Sequence, residues 1–495
     1  TIRHPEKTSL REMMNEIIDN EYIHHILIEQ MKIWGSDSIN EKSLSTIMTA
    51  YSREMDNNAE SIQLIKSVKE LFSKNINNHR ELSKLIDKYL VPEEADKKSN
   101  AEVSTPFQLR QDMLDKIPTD FWKKPNKIFE PCSGKGGFII DIIDRFMEGL
   151  QHTIPDESIR YRTIVEDCLY FCDINNANIF ICKLLINRGN HSEYNLNCLV
   201  GNTLTLNIKQ TWDVDGFDAV IGNPPYNASG DTGTGNTIWQ EFTRRSLQIW
   251  LNPGGYLLFV HPPGWRKPNT IRGKFYGMYK LMTKDNQMIY LSIHGIKDGK
   301  LTFNCGTRYD FYLIKKEKSH MKTEVNDETG KNVIVDMNEF QWLPNYNIET
   351  IQNILATGVD ELCNIIQSMS AYEPRKQWMS KTESSEYKYP CIHSTPKSGV
   401  RYVYSSRNDR GHFGVPKVIF GDSGIYTPII DMDGKYGMTH HSMAIEISNM
   451  LEATALAEAL ISDKMMGFLK CCAFSSYAID WNIFKDLKKN FWRDL

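Results

Sequence analysis

Phe129-Glu130-Pro131-Cys132-Ser133-Gly134-Lys135-Gly136-Gly137-Phe138 leads from a short apolar stretch, Ile128-Phe129, through a glycine-rich turn into the helical periodicity of Ile139 to Met147. Strand, tight turn and helix in that order are the opening unit of an α/β sheet, and glycines in the turn let the backbone pass close beneath a bound cofactor. The turn is not a nucleoside triphosphate loop, because Lys135 is followed by Gly136 and not by the Ser or Thr that would hold magnesium. Downstream, short apolar runs alternate with helical stretches: Tyr170-Phe171-Cys172, Ala219-Val220-Ile221, Tyr256 to Val260, Met288 to Ile293 and Phe311 to Ile314. That alternation predicts an α/β fold around a parallel-rich sheet over residues 100–325.

Residues 1–99 read differently. Leu10, Met13, Met14, Ile17 and Ile18 fall on one helix face, as do Ile62, Ile65, Val68, Leu71 and Phe72, and then Leu82, Leu85, Ile86, Tyr89 and Leu90. An N-terminal helical region is expected there, joined to the α/β region by the polar segment Pro92 to Ser104. Beyond residue 325, short strand-like pieces such as Val418-Ile419-Phe420 are interleaved with Gly, Asp, Ser and aromatic residues, and helical periodicity returns near Ala453 to Leu469. Residues 326–495 are therefore expected to form a separate mixed α+β domain.

The 495 residues suffice for two or three domains, with 41% hydrophobic residues and a negative mean hydropathy. No run of eighteen apolar residues and no secretory signal is visible, so neither a membrane span nor export is expected. The start at Thr1 reads as a trimmed or processed chain. Ten cysteines without a Cys-x-x-Cys pair fit a reducing, cytoplasmic setting and give no zinc site. His24-His25 and His440-His441 lack ligand spacing, and no metal is expected. The net charge of -4 argues against a protein that coats nucleic acid over its whole surface. Locally the balance reverses: Arg375, Lys376, Lys381, Lys388, Lys397, Arg401, Arg407, Arg410 and Lys417 face only Glu373, Glu383, Glu386 and Asp409, and Arg266, Lys267, Arg272, Lys274 and Lys280 have no acid among them. Such stretches are candidate nucleic-acid contacts or solvated faces.

The run Glu130-Pro131-x-x-Gly134-x-Gly136-x-Phe138 resembles motif I of the amino-methyltransferases that modify DNA. The resemblance implies S-adenosyl-L-methionine as cofactor, its methionine part lying over this turn. Asp173, closing an apolar strand, is the expected acceptor for the ribose hydroxyls, with a helix cap as the alternative. Its distance from the turn exceeds the roughly 20 residues of dinucleotide folds, and Gln151 to Asp167 reads as an insertion. Gly201-Asn202-Thr203-Leu204 resembles the family's adenine-recognition motif, with Asn202 where many relatives carry Asp, and Thr105-Pro106 resembles the motif bordering the methionine end.

Gly222-Asn223-Pro224-Pro225-Tyr226-Asn227, after an apolar strand, matches the Asn-Pro-Pro-Tyr signature of that family. An exocyclic amine conjugated with a purine is a weak nucleophile, so a site that methylates it must work by position and electrostatics. The resemblance implies that the Asn223 side-chain oxygen and the Pro224 carbonyl accept the amine hydrogens, that Pro225 fixes the turn, and that Tyr226 stacks on a base swung out of the helix. Phe303, in Leu301-Thr302-Phe303-Asn304, is a candidate second stacking group or a core residue. No covalent nucleophile is required; cytosine C5 chemistry would need a thiolate beside proline, and Pro131-Cys132 and Pro390-Cys391 are read as coincidences.

The motif order resembles the gamma subgroup of DNA N6-adenine methyltransferases of restriction-modification type. The C-terminal region would then recognise the target, with Arg401, Arg407, Asn408 and Arg410 as base-edge or phosphate contacts and Trp378, Tyr402 and Tyr404 against sugar or base. The N-terminal helices resemble in general character those of modification subunits, where they would dock a protein partner or brace the catalytic sheet. A built-in nuclease is not expected, since Pro155-Asp156 lacks a following acidic-x-Lys tripeptide. Methylation of RNA or of a protein glutamine, and an inactive DNA-binding module on the same fold, are the competing readings.

Overall fold

A computed structural model describes residues 74–75, 77–89, 103–187, 194–228, 237–268, 273–368, 370–474 and 479–495. The helices expected over Leu10 to Trp34 and Ile62 to Phe72, most of the 92–104 linker, His24-His25 and Arg272 lie outside these residues. The chain divides into two compact units: the described residues through Pro262 with Leu281–Val325, and Pro263–Lys280 with Asn326–Leu495. The segment 263–280, expected within the catalytic domain, thus packs with the second unit.

The first unit is built on β1 (Ile128–Glu130), β2 (Leu169–Asp173), β3 (Asn197–Val200), β4 (Phe217–Gly222), β5 (Leu251–His261), β6 (Gln287–His294), β7 (Tyr309–Lys315) and β8 (Thr323–Asn326). Their order in the sheet is β3-β2-β1-β4-β5-β7-β6-β8. β1 to β5 are mutually parallel, and β7 enters antiparallel between β5 and β6. Parallel strands are covered on both faces, which is why β1 and β2 read as continuous apolar runs and are buried throughout. This is a Rossmann-like sheet, parallel from β1 to β5 and closed by an antiparallel strand. Its strand order reverses between β1 and β4, which opens a crevice at the carboxyl ends of those strands.

Three helices position the site: α1 (His79–Tyr89), α2 (Phe107–Leu114) and α3 (Gly137–Gly149). Leu82, Leu85 and Ile86 of α1 are buried in the same core as Leu109 and Met113 of α2 and Ile139, Ile142 and Ile143 of α3. The described part of the N-terminal region, α1, therefore packs as a brace on the core of the first unit. The insertion folds as a helix, Glu157–Thr163, capped by Asp156, whose carboxylate accepts the Ile159 N–H at 2.8 Å. The stretch from Trp239 is α-helical to Arg245 and continues to Trp250 as a wider π-type turn.

The second unit is mixed α+β. It contains β9 (Asn332–Val335), β10 (Ile365–Ile366), β11 (Met379–Ser380), β12 (Tyr389–Ser394), β13 (Arg401–Ser405), β14 (Lys417–Gly421), β15 (Ile429–Asp431), β16 (Gly437–Met438) and β17 (Ser442–Glu446). Two four-stranded sheets result, β10-β17-β14-β15 and β11-β13-β12-β16. Successive side chains of β12 serve different cores: Cys391 packs with Tyr372, Met379 and Val403, and Ile392 with Ile419, Met438 and Ala444. Helices Met450–Leu460 and Asp463–Cys471 close the unit.

Candidate active site

The carboxyl ends of β1, β2 and β4 meet at a cleft of about 320 Å³ lined by Pro131, Cys132, Gly134, Asp173, Gly201, Asn202 and Asn223 to Tyr226. Four motifs separated by up to a hundred residues in sequence thus share one wall. A smaller adjoining cavity of about 50 Å³ is bordered by Thr105, Arg110, Glu130, Phe138 and Asn223.

The glycine turn needs left-handed backbone at Gly134 (φ 50°) and Gly136 (φ 86°). A Cβ on Gly136 would sit 3.2 Å from Cys182 Sγ, and one on Gly137 would meet the Arg110 guanidinium at 2.8 Å. Gly136→Ala is expected to cost about 1–2 kcal/mol from the φ alone and to weaken S-adenosylhomocysteine binding, measurable by titration calorimetry.

Asp173 does more than face the cleft. Its Oδ2 accepts the Gly134 N–H at 2.8 Å, and its Oδ1 accepts the Asn175 N–H at 2.8 Å and Asn178 Nδ2–H at 3.3 Å. The carboxylate therefore clamps the glycine turn and shapes the approach to helix Asn176–Ile186 as well as lining the cleft. Thr203 Oγ1 donates to the Pro131 carbonyl at 2.7 Å, tying the third motif to the first, and Asn202 Oδ1 accepts the Leu204 N–H at 3.1 Å. Glu130 is buried, and desolvation holds its carboxyl well above the usual range. Phe138 is buried in α3, and Pro106 caps α2 with its carbonyl accepting the Arg110 N–H at 3.0 Å.

Asn223 is oriented by its neighbours. Its Nδ2 donates to the Val103 carbonyl at 3.2 Å and to Thr105 Oγ1 at 3.1 Å. A carbonyl can only accept, so this fixes which end of the amide is nitrogen. Oδ1 is buried and has no hydrogen-bond partner among the described residues. The Tyr226 hydroxyl is likewise buried, with the Asn223 side chain beside it and no hydrogen bond of full geometry among the described residues, and burial pushes the phenol well above its ordinary value. Phe303 does not border the cleft; its ring packs edge-on against Tyr309 at 4.9 Å. Desolvation also pushes the Cys132 thiol up, which disfavours the thiolate there.

Arg110 belongs to none of the motifs. It is 2% exposed and donates to Asp141 at 2.5 Å, to Asp87 at 2.6 Å, to Ser83 Oγ at 2.7 Å and to the Thr105 carbonyl. The signal in the sequence is its place in the buried stripe Leu109, Arg110, Met113, Leu114 of α2, where an unpartnered charge would be costly.

His261, at the end of β5, stacks on Trp239 with centroids 3.8 Å apart. Nδ1 donates to the Pro262 carbonyl at 2.9 Å, leaving Nε2 to accept the Tyr312 hydroxyl at 2.7 Å. Burial brings its pKa down to about 3. The unfolded chain takes up this proton near pH 6.5 and the folded chain does not, so stability is full above that pH and falls as pH drops toward 3. Between pH 7.5 and 5.5 the loss from this group is about 1.4 kcal/mol. His261→Phe, which keeps the stack, should show a correspondingly shallower loss in urea unfolding at the two pH values.

In the second unit, Arg266 corrects a sequence expectation. It is fully buried, and its guanidinium donates to the Leu343 and Pro344 carbonyls at 3.0 and 3.1 Å and to Asn345 Oδ1 at 3.1 Å. An arginine committed to backbone carbonyls in a core is a structural tie and not a nucleic-acid contact. Lys267 beside it is half-buried. Arg401, Arg407 and Arg410 are exposed. The Arg407 and Arg410 guanidinium groups lie 5.7 and 5.0 Å from the Trp378 ring centre, with the Lys376 ammonium at 5.9 Å. Arg407 also pairs with Asp409 at 2.7 Å. Among the described residues, no group of three or more His, Cys, Asp or Glu is arranged to hold a metal, and no helix is long and apolar enough to cross a membrane.

Residues 167–293 match the Eco57I restriction-modification methylase family. The chain is similar to an uncharacterized adenine-specific methylase of Mycoplasma pneumoniae, 27% identical over 242 residues, which cover 34% of this chain and 57% of that protein. Among solved structures it is similar to the type IIL restriction-modification enzyme MmeI in complex with DNA, with 9% identity, a TM-score of 0.49 and coverage of 97% of this chain and 82% of that one. A modification subunit of a putative type I restriction enzyme from Vibrio vulnificus matches with 13% identity and a TM-score of 0.36 over 54% of each chain. The chain thus spans little more than half the length of the curated relative. The resemblance to restriction-modification adenine methylases, read from the motifs, is borne out by the family match across β2 to β6.

Proposed function

We propose that this chain is a DNA methyltransferase that transfers a methyl group from S-adenosyl-L-methionine to the N6 amine of an adenine swung out of the duplex. The observation that carries the reading is Asn223: at the wall of the cleft its nitrogen is committed to the Val103 carbonyl and Thr105 Oγ1, while its oxygen, beside the Tyr226 hydroxyl, has no hydrogen bond of full geometry among the described residues.

The cleft residues fit the cofactor. Its volume falls at the lower end of the range for cofactor sites, and it combines apolar walls, Ile174, Leu204 and Phe242, with a few polar groups. Gly134 and Gly136 would pass beneath the methionine portion, Asp173 and Asn202 would face the ribose and adenine, and Thr105 and Glu130 would border the methionine end. The bound cofactor supplies an electrophilic methyl on sulfur. The chain does the rest: Asn223 Oδ1 and the Pro224 carbonyl accept the two amine hydrogens, which withdraws the nitrogen lone pair from the ring and exposes it. Tyr226 stacks on the base, and the rigid Pro224-Pro225 turn fixes both. After transfer the cationic nitrogen loses its proton to water.

The second unit is proposed to read the target, with Arg407 and Arg410 beside Trp378, together with Arg401, contacting phosphate or base edges. DNA is favoured over RNA or a peptide because a cationic, aromatic surface is carried by a separate domain. The test is transfer of labelled methyl to mixed-sequence duplex DNA, single-stranded DNA, structured RNA and a glutamine peptide. Label in duplex DNA is expected; label confined to RNA or peptide would overturn the substrate. Arg407→Ala with Arg410→Ala should raise KM for DNA about 10-fold or more at physiological salt while leaving S-adenosylhomocysteine affinity unchanged.

A further inference from the structure

We infer that Arg110 is a positioning residue for the transfer step, through a relay that makes helix α1 part of the catalytic apparatus. Ser83 and Asp87, four residues apart, lie on one face of α1 and both bind the Arg110 guanidinium; Asp141 of α3 holds it from a second side. The same guanidinium donates to the carbonyl of Thr105, and Asp87 accepts the N–H of Phe107. Thr105 is thus held on both sides, by its own carbonyl and by the start of α2.

Thr105 in turn passes this position on. Its Oγ1 accepts from Asn223 Nδ2 at 3.1 Å, a contact that fixes the orientation of the Asn223 amide. Thr105 is buried, and so are Arg110 and Asp141. Gly137 completes the arrangement, because any side chain there would collide with the guanidinium at 2.8 Å. Arg110 touches neither the substrate amine nor the methyl donor in the proposed reaction. A fork of fixed N–H donors can satisfy four partners at once, which a lysine ammonium at that position cannot.

The inference rests on the proposed function for its kinetic reading and on geometry alone for its structural one. The test compares Arg110→Lys, which keeps the charge, with Thr105→Val, which keeps the shape and leaves the buried ion cluster intact, and with the double variant. Hydrogen exchange at the amides of Gly222, Asn223 and Tyr226 should quicken about 10-fold in each, although the partners of the Arg110 side chain all lie outside that segment. The kcat for methyl transfer should fall about 10–100-fold with KM for DNA nearly unchanged in each variant and KM for cofactor nearly unchanged in Arg110→Lys, and the double variant should be no worse than Thr105→Val alone. Unchanged exchange at 222–227, or effects that multiply in the double variant, would overturn the relay. If the unmodified protein methylates nothing, the functional reading falls, while the exchange comparison still decides the relay.

Discussion

Asn223→Ala is expected to lower kcat for methyl transfer by about 10²–10³-fold while leaving S-adenosylhomocysteine affinity within a factor of about two to three. The oxygen removed is the buried acceptor with no partner among the described residues, and its whole contribution comes when the amine nitrogen gains positive character. The Asn223 side chain is anchored to Val103 and Thr105, whereas the glycine turn on the cofactor side is held by the Gly134–Asp173 hydrogen bond, which the change leaves in place. Calorimetry and single-turnover kinetics on the same preparation separate the two effects. A loss of cofactor binding equal to the loss of rate would mean that the asparagine serves the fold and not the reaction.

Arg110→Met is expected to destabilise the first unit by about 3–5 kcal/mol. Asp141 and Asp87 flank the guanidinium with side chains 2% and 22% exposed. Burial already holds both carboxyls above their usual range even with the arginine present, and without it two acids remain in a dry site with no counter-charge. Removing an acid together with the arginine, as in Arg110→Met with Asp141→Leu, should recover part of the loss, because a neutral core carries no desolvated charge. Urea unfolding followed by a probe in the first unit gives the comparison; equal stability of Arg110→Met and the unmodified protein would show that the cluster is not held as an ion network.

The catalytic sheet was legible because strands covered on both faces must be apolar throughout, and Ile128-Phe129, Tyr170-Phe171-Cys172 and Ala219-Val220-Ile221 are. The direction of the last strands was not. An apolar run such as Phe311 to Ile314 carries no mark of its sense, and only the placement of β7 between β5 and β6 reverses it. Motif spacing located the wall of the cleft, since Gly134, Asp173, Asn202 and Asn223 all line it. It could not show that Asp173 spends much of its hydrogen-bonding capacity on the glycine turn. Charge counting misled at Arg266, because a run of cations looks the same whether a guanidinium points to solvent or caps buried carbonyls. The reverse error hid Arg110, whose four partners come from α1, α3 and the Thr-Pro segment, distributed over residues 83–141.

The most direct test of the central claim is nucleoside analysis of duplex DNA after incubation with the protein and S-adenosylmethionine carrying a labelled methyl group. The reading predicts that the label is recovered as N6-methyl-2′-deoxyadenosine and that none appears with Asn223→Ala. Label recovered on a cytosine, or at an undiminished level with Asn223→Ala, would contradict it.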